Sequence, residues 1–334
     1  MRTGIKGMGI YLPEKVMTSE DVEIKAGYER LGVRKGLVKM ITGVEERHYA
    51  AEDEYSSDLA YQAAKNAMED AGITADEVDT LIFCSVTQDF AEPATANVIA
   101  EKLGLHNAYC FDVKNGCNAF LQGMDIADSL IKTGKAKNVV ITSGEALSKW
   151  VRFDYDNKED LMVGSPVTLS LGDGGGAFVI GQVAADKGII TSFFRTFPEL
   201  WNNNVMWGGG VRYPREPEKM YIPGTTKPLI DKHLQIGTEF MAQALEKTGW
   251  TMDDVDFFAS SQAAKWIVKK VSEETGVSPE KRSSVITKWG NAACANLPLV
   301  VYEARREGKI REGSKVVFIG AAVGFNSCVF TIQF

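Results

Sequence analysis

Histidine is nearly missing from this chain: three in 334 residues, at positions 48, 106 and 233. An enzyme built on an imidazole base has few positions to draw on. Cysteine is sparse too. The five residues (84, 110, 117, 294 and 328) are odd in number and contain no CxxC pair. That pattern suits free thiols in a reducing cytosol and offers no zinc site, so neither a metal nor a bound cofactor is expected. No run of 18 apolar residues occurs, so no membrane span is expected. The opening MRTGIKGMGIYLPEK lacks the apolar core and cleavage site of a signal peptide, which points to a cytoplasmic protein. Positive charge is in deficit: 37 Lys and Arg stand against 44 Asp and Glu, a net charge of -7. A general nucleic-acid binder needs the opposite balance.

What the chain does have is α/β grammar, with strand-like and helix-like segments alternating from end to end. Two pairs of segments are similar to each other. DAGITADEVDTLIFCS (70–85) resembles KTGWTMDDVDFFASS (247–261), with Gly72 matching Gly249 and Asp79 matching Asp256 at an offset of 177. TGKAKNVVITSGE (133–145) resembles EGKIREGSKVVFIGA (307–321). Counting back 17 residues from Gly134 and from Gly308 reaches Cys117 and Asn291, each at the start of a helix rich in small and apolar residues. A repeat this long is not a solenoid. It predicts two fused α/β halves, 1–183 and 184–334, stacked so that both of these helices are central. The join follows the glycine-rich strand LGDGGGAFVIG.

DVKNGCNAFLQ (112–122) places Cys117 behind a small, polar KNG cluster at a helix start. Free cysteine is most often a buried packing residue, and Cys84, Cys110, Cys294 and Cys328 read that way. For Cys117 a second reading stands beside it. Free backbone amides at a helix N-terminus lower a thiol's pKa and can hold an oxyanion, which suits attack on an acyl group.

IKGMGIYLPEKVMT, TGVEERHYA, DVKNGCNAF, LGDGGGAFVI, GNAACANLP and VGFNS are similar to the signature segments of the β-ketoacyl-acyl carrier protein synthase III family, in the family's order and across the whole chain. The resemblance implies a thiolase-like fold, a five-layer αβαβα sandwich of two similar halves, in a homodimer or a heterodimer with a homologue. It implies a Cys117 thioester received from an acyl-CoA or acyl carrier protein, with the amides of Cys117 and Val323 as oxyanion hole. Asn291 matches the family's asparagine. The family's histidine does not match: SSQAA places Ser261 there. A serine hydroxyl is a weaker donor and does not titrate near neutrality. Acylation of Cys117 therefore stays plausible while decarboxylative condensation is weakened, and His48, His106 and His233 read as packing or surface residues.

Three further departures concern the donor. Leu37 stands at the family's CoA-stacking tryptophan, and Ile41 and Ser165 at its phosphate-facing arginines. A carrier protein donor fits better, and Lys265, Lys269 and Lys270 supply a basic face where the family docks its carrier. Residues 193–228 form a long aromatic connection, read as a cap over the acyl pocket that brings Trp201 and Trp207 to the substrate, or as a dimer contact. Gly172–Gly176 fits no phosphate loop and reads as close backbone packing. A reading from another class remains: a non-catalytic or half-active subunit of a heterodimeric condensing enzyme. The missing histidine favours it, and the retained Cys117 and Asn291 argue against it.

Overall fold

In the computed structural model, which describes residues 2–221 and 227–334 (side chains at 164, 165 and 227–230 excepted), the two halves share one strand plan. The strands are β1 (Arg2–Tyr11), β2 (Lys15–Thr18), β3 (Glu46–Tyr49), β4 (Thr80–Cys84), β5 (Tyr109–Val113), β6 (Asn138–Glu145), β7 (Gly174–Val183), β8 (Gly188–Thr196), β9 (Phe257–Ser260), β10 (Lys315–Ala322) and β11 (Asn326–Gln333). The first sheet runs β1-β7-β6-β4-β5 and the second β8-β11-β10-β9, with β2 and β3 pairing separately. In the first sheet β1–β7 and β7–β6 are antiparallel and β6–β4 parallel. In the second, β8–β11 and β11–β10 are antiparallel and β10–β9 parallel. Within the first sheet only β5, the strand leading to Cys117, has no counterpart among the described residues; the corresponding stretch holds a one-turn helix.

The helices are α1 (Ser19–Lys25), α2 (Leu37–Thr42), α3 (Ser56–Ala71), α4 (Thr95–Leu103), α5 (Ala119–Lys132), α6 (Lys158–Thr168), α7 (Lys227–Thr248), α8 (Lys265–Thr275), α9 (Ile286–Trp289) and α10 (Asn296–Arg306). α5 and α10 form the central layer. Phe120, Met124 and Ala127 of α5, with Leu297, Val300 and Ala304 of α10, share one core with Phe178 of the first sheet and Phe318 and Phe330 of the second. α3 and α4 cover the outer face of the first sheet, and α7 and α8 that of the second. This is the thiolase-like five-layer arrangement. Among the described residues no helix is long and apolar enough to cross a membrane.

Composition explains the tight outer layer. α3 turns Ala60, Ala63, Ala64 and Ala67 inward, against glycines of the first sheet. A Cβ at Gly9 would lie 2.3 Å from the Ala67 nitrogen, and one at Gly175 would lie 2.2 Å from the Leu59 carbonyl. Alanine and glycine together let helix and sheet backbones approach. Gly172 and Gly176 pack likewise, against the Trp289 carbonyl and the Pro298 ring.

Candidate active site

Between β5 and α5 the chain turns through residues 114–118, and the second half clamps that turn. Asn118 donates its side-chain Nδ2 to Asn326, at 2.7 Å to Oδ1 and 3.1 Å to the carbonyl. Asn326 in turn donates to Asn115 Oδ1 at 2.9 Å. Gly116, at φ 54°, leaves no room for a side chain: a Cβ would stand 3.0 Å from that of Ala322. The loop at Ala322 and Val323 is thus seated on the Cys117 turn.

Cys117 opens onto a cavity of about 210 Å³ whose wall also includes Ser261, Asn291 and Val323. Asn291 is aimed by its own backbone and side chain. Its N–H donates to the Ser170 carbonyl at 3.0 Å, and its carbonyl accepts from Gly172 at 3.1 Å. Its Oδ1 accepts from the Ala293 N–H at 3.0 Å and from Asn296 Nδ2 at 2.7 Å. Both donors fix which end of the amide is oxygen, so the Nδ2 group is the end left to the cavity. Ser261 follows β9, its N–H on the Ile319 carbonyl at 3.1 Å. The next residue, Gln262, anchors it. The buried Gln262 side chain donates to the Ser283 carbonyl at 2.7 Å and accepts from Val285 and Ile286 at 3.0 and 3.1 Å. Asn296 also donates to the Gln262 carbonyl at 2.9 Å, tying the Ser261 and Asn291 loops together.

The thiol corrects one expectation. The backbone amide at the helix start lowers the Cys117 pKa but does not prevail: burial, followed by the charge of Glu145, pushes it up to about 12. Cys117 stands ahead of the cap residue Asn118 and is half-buried in the cavity wall. Desolvation there outweighs the amide dipoles. Glu145 ends β6 near Cys117, fully buried, and burial raises its pKa as well. It accepts from the N–H groups of Val86, Thr87 and Cys294 at 2.9, 3.1 and 3.2 Å and from the Thr87 hydroxyl at 3.0 Å. With those lone pairs engaged it is an anchor joining three segments under the site. The Cys294 thiol donates to the Gly116 carbonyl at 2.9 Å, supporting the same turn.

Other sequence readings land elsewhere. Trp201 and Trp207 do not line the cavity; they are 51% and 41% exposed and stack edge-on at 6.2 Å. Their connection reaches the cavity through Asn204 and Met206 instead, because the rings pair with each other and, from Trp207, with Tyr213. Lys265 and Lys269 lie on α8, on the wall of a second, more open cavity shared with Lys39, Ile41, Trp266 and Arg282; Lys270 lies outside it. α8 is a partition: Ala263 and Ile267 face the first cavity, Trp266 and Lys269 the second. Leu37 lies on α2, partly buried, and the Ser165 side chain falls outside the described residues. Cys84 and Cys328 are buried in strands and Cys110 is partly exposed. His48 bonds the Pro13 carbonyl at 2.6 Å and His106 is exposed. His233, read as packing, contributes to the wall of the Cys117 cavity.

Sequence reasoning missed Glu145, Gln262, Asn296 and the placement of His233. For Glu145 a signal existed, an acid closing the apolar strand NVVITSGE where the second copy has Ala322.

Comparison with known proteins agrees with this architecture. The model of 3-oxoacyl-[acyl-carrier-protein (ACP)] synthase III matches residues 111–197, and that of its C-terminal region matches residues 245–334. Beta-ketoacyl-[acyl-carrier-protein] synthase III of Listeria innocua is 33% identical over 97% of this chain and 96% of its own length. The Staphylococcus saprophyticus enzyme of the same name is 31% identical over 100% and 99%. The crystal structure of 3-oxoacyl-[acyl-carrier-protein] synthase III from Aquifex aeolicus superposes with a TM-score of 0.85 at 27% identity, covering 99% of this chain and 100% of that one. Xanthomonas campestris OleA with bound cerulenin, at a TM-score of 0.89 and 23% identity over 100% and 97%, shares the fold. The chain belongs to the 3-oxoacyl-[acyl-carrier-protein] synthase III family, a family of thiolase-fold acyltransferases.

Proposed function

We propose that Cys117 takes an acyl group from an acyl carrier protein or acyl-CoA and passes it to a second substrate, as in fatty-acid or polyketide-like biosynthesis in the cytoplasm. The observation that carries this reading is one cavity joining the Cys117 thiol, the free amide of Asn291 and the Val323 turn. Residues 1–183 bring the nucleophile, and residues 184–334 bring the groups that meet the second substrate.

In the first half-reaction Sγ bonds to the donor's carbonyl carbon and the donor sulfur leaves with the thiol's proton. One thioester replaces another, so a thiol with a high pKa needs no resident base in the net balance. The N–H groups of Cys117 and Val323 hold the tetrahedral oxyanion. In the second half-reaction a malonyl-type thioester loses carbon dioxide, and the C–C electron pair becomes an enolate whose oxygen accepts from Asn291 Nδ2. The enolate carbon then attacks the acyl carbonyl, and Cys117 departs as thiolate and regains a proton. Ser261 supplies a hydroxyl in place of an imidazole. Transfer without decarboxylation, to an oxygen, nitrogen or sulfur nucleophile, uses the same acyl-enzyme.

The basic face with Lys265, Lys269 and Lys270 suits an acidic carrier, and α8 leads from that face to the cavity. Among the described residues no strand pairs with the outer edge of β5, and Tyr109 is 67% exposed there, which favours a second copy along that edge. Intact mass after incubation with acyl thioesters tests the reading. An adduct lost in Cys117→Ala supports it; no adduct with any donor overturns it in favour of a non-catalytic subunit.

A further inference from the structure

α7 runs along the second sheet with Ile236, Phe240, Met241 and Ala244 turned into the core. His233 stands three residues before Ile236 and seven before Phe240, on the same inward stripe, where the pattern calls for an apolar residue. The helix comes close there because Gly237, one turn on, rests against Ile319: a Cβ at Gly237 would lie 3.1 Å from Ile319 Cδ1. Ile319 is the residue whose carbonyl receives the Ser261 N–H at 3.1 Å. Ile319 therefore touches both α7, through its side chain, and the Ser261 turn, through its carbonyl.

The consequence is an imidazole in the wall of the Cys117 cavity. His233 is 9% exposed, and its Nδ1 is buried with no hydrogen-bond partner among the described residues. A buried polar atom left unpaired is destabilising, a penalty that leucine at this position would not incur. Cys117, Ser261, Asn291 and His233 all line this one cavity of about 210 Å³, so a group bound on Cys117 shares it with the imidazole.

We infer that His233 acts on the second substrate, donating its Nε2–H to the thioester oxygen that Asn291 also holds and so replacing the donor absent at Ser261. Burial supports the chemistry, since it pushes the His233 pKa down to about 4 and leaves a neutral imidazole with one N–H and one lone pair. A buried acceptor tolerates being unpaired better than a buried N–H, which places the proton on Nε2 and the bare lone pair on Nδ1. As the malonyl-type thioester loses carbon dioxide, negative charge builds on its carbonyl oxygen. Asn291 Nδ2 and His233 Nε2 meet that charge as hydrogen-bond donors without transferring a proton. The inference rests on the acyl-transfer reading above.

The test separates the two half-reactions in His233→Leu. Acyl-Cys117 is formed from an acyl pantetheine thioester and quantified by intact mass, then malonyl pantetheine is added and the decay of the adduct followed. Acylation should stay close to the wild-type rate, which also reports a folded site. Decay should slow by about a hundred- to a thousandfold, the usual cost of one such donor. His233→Gln, which keeps an N–H, should recover part of the loss, and His233→Leu combined with Ser261→His should recover more. Wild-type decay in His233→Leu overturns the inference and leaves the acyl-transfer reading standing. Equal slowing of acylation and decay, unrelieved by either second change, also overturns it and makes His233 structural. If wild-type protein acquires no adduct, the acyl-transfer reading itself falls.

Discussion

Asn296 Nδ2 donates to Asn291 Oδ1 at 2.7 Å and to the Gln262 carbonyl at 2.9 Å. One side chain thus aims the amide proposed to meet the second substrate and holds the loop carrying Ser261. Asn296→Ala should leave acylation of Cys117 unchanged and slow consumption of the acyl-enzyme about tenfold, because a neutral hydrogen bond contributes roughly 0.5–1.5 kcal/mol. Asn296→Asp should be slower still, since its carboxylate sets oxygen against Asn291 Oδ1 and the Gln262 carbonyl. Single-turnover decay of the acyl adduct measures both. Decay at the wild-type rate in Asn296→Ala would show that Asn291 is aimed without it.

The high pKa of Cys117 has its own signature. With the thiol pushed up to about 12, alkylation by iodoacetamide should climb about tenfold per pH unit from pH 7 to 10 without levelling off. An ordinary thiol would level off above about pH 8.5. The sign for stability follows. The folded pKa lies above the unfolded one, so the stabilisation is fully present below about pH 8.5 and is lost as pH rises toward 12. Its slope is about 1.4 kcal/mol per pH unit. Cys84, Cys294 and Cys328 are also raised by burial, so the difference between wild type and Cys117→Ala isolates this thiol. A plateau in alkylation below pH 9 would restore the helix-start account.

How far the sequence carried is clear from these residues. Cys117 and Asn291 were paired by counting back from matching glycines, and they precede the two helices, α5 and α10, that share the central core. The repeat was legible because local segments encode it. Asn296, Gln262 and Glu145 were not, because their partners are distant in sequence: Gln262 bonds residues 283–286, and Glu145 bonds Cys294. The activation of Cys117 was misjudged for a related reason. The helix start is visible in sequence, but the cavity that Cys117 faces is assembled from both halves. Trp201 and Trp207 were placed by composition alone, which cannot tell a ring facing a pocket from one stacked on its neighbour.

The alanine–glycine contact between α3 and the first sheet predicts a sharp contrast between two substitutions. Gly9→Ala sets a methyl 2.3 Å from the Ala67 nitrogen and 2.4 Å from the Ala63 carbonyl, backbone atoms that cannot swing aside. Helix and sheet must separate, and overpacking of this kind costs about 1–3 kcal/mol. Gly210→Ala meets nothing within 4 Å and should change stability by less than about 1 kcal/mol, in the stabilising direction. Urea midpoints at constant slope measure both. Equal midpoints would mean that α3 can ride outward freely.

Carrier docking is tested by reversing charge on α8. Lys265, exposed, stands against Gly43 of the α2 turn, and Lys269, also exposed, has Glu273 at 3.6 Å. That exposed ion pair holds Lys269 weakly, leaving it available to an acidic partner. Lys265→Glu with Lys269→Glu and Lys270→Glu should raise the KM for a carrier-borne acyl donor about tenfold or more. Acylation by a small acyl pantetheine thioester should stay the same, because the Cys117 cavity lies on the other side of the α8 wall. The effect should shrink as salt rises, since exposed charges are screened beyond about 8 Å at 0.15 M. If both donors lose equally, the substitutions have disturbed α8 and its Ile267 face on the cavity. If neither loses, the carrier docks elsewhere and these lysines are a solvated helix face.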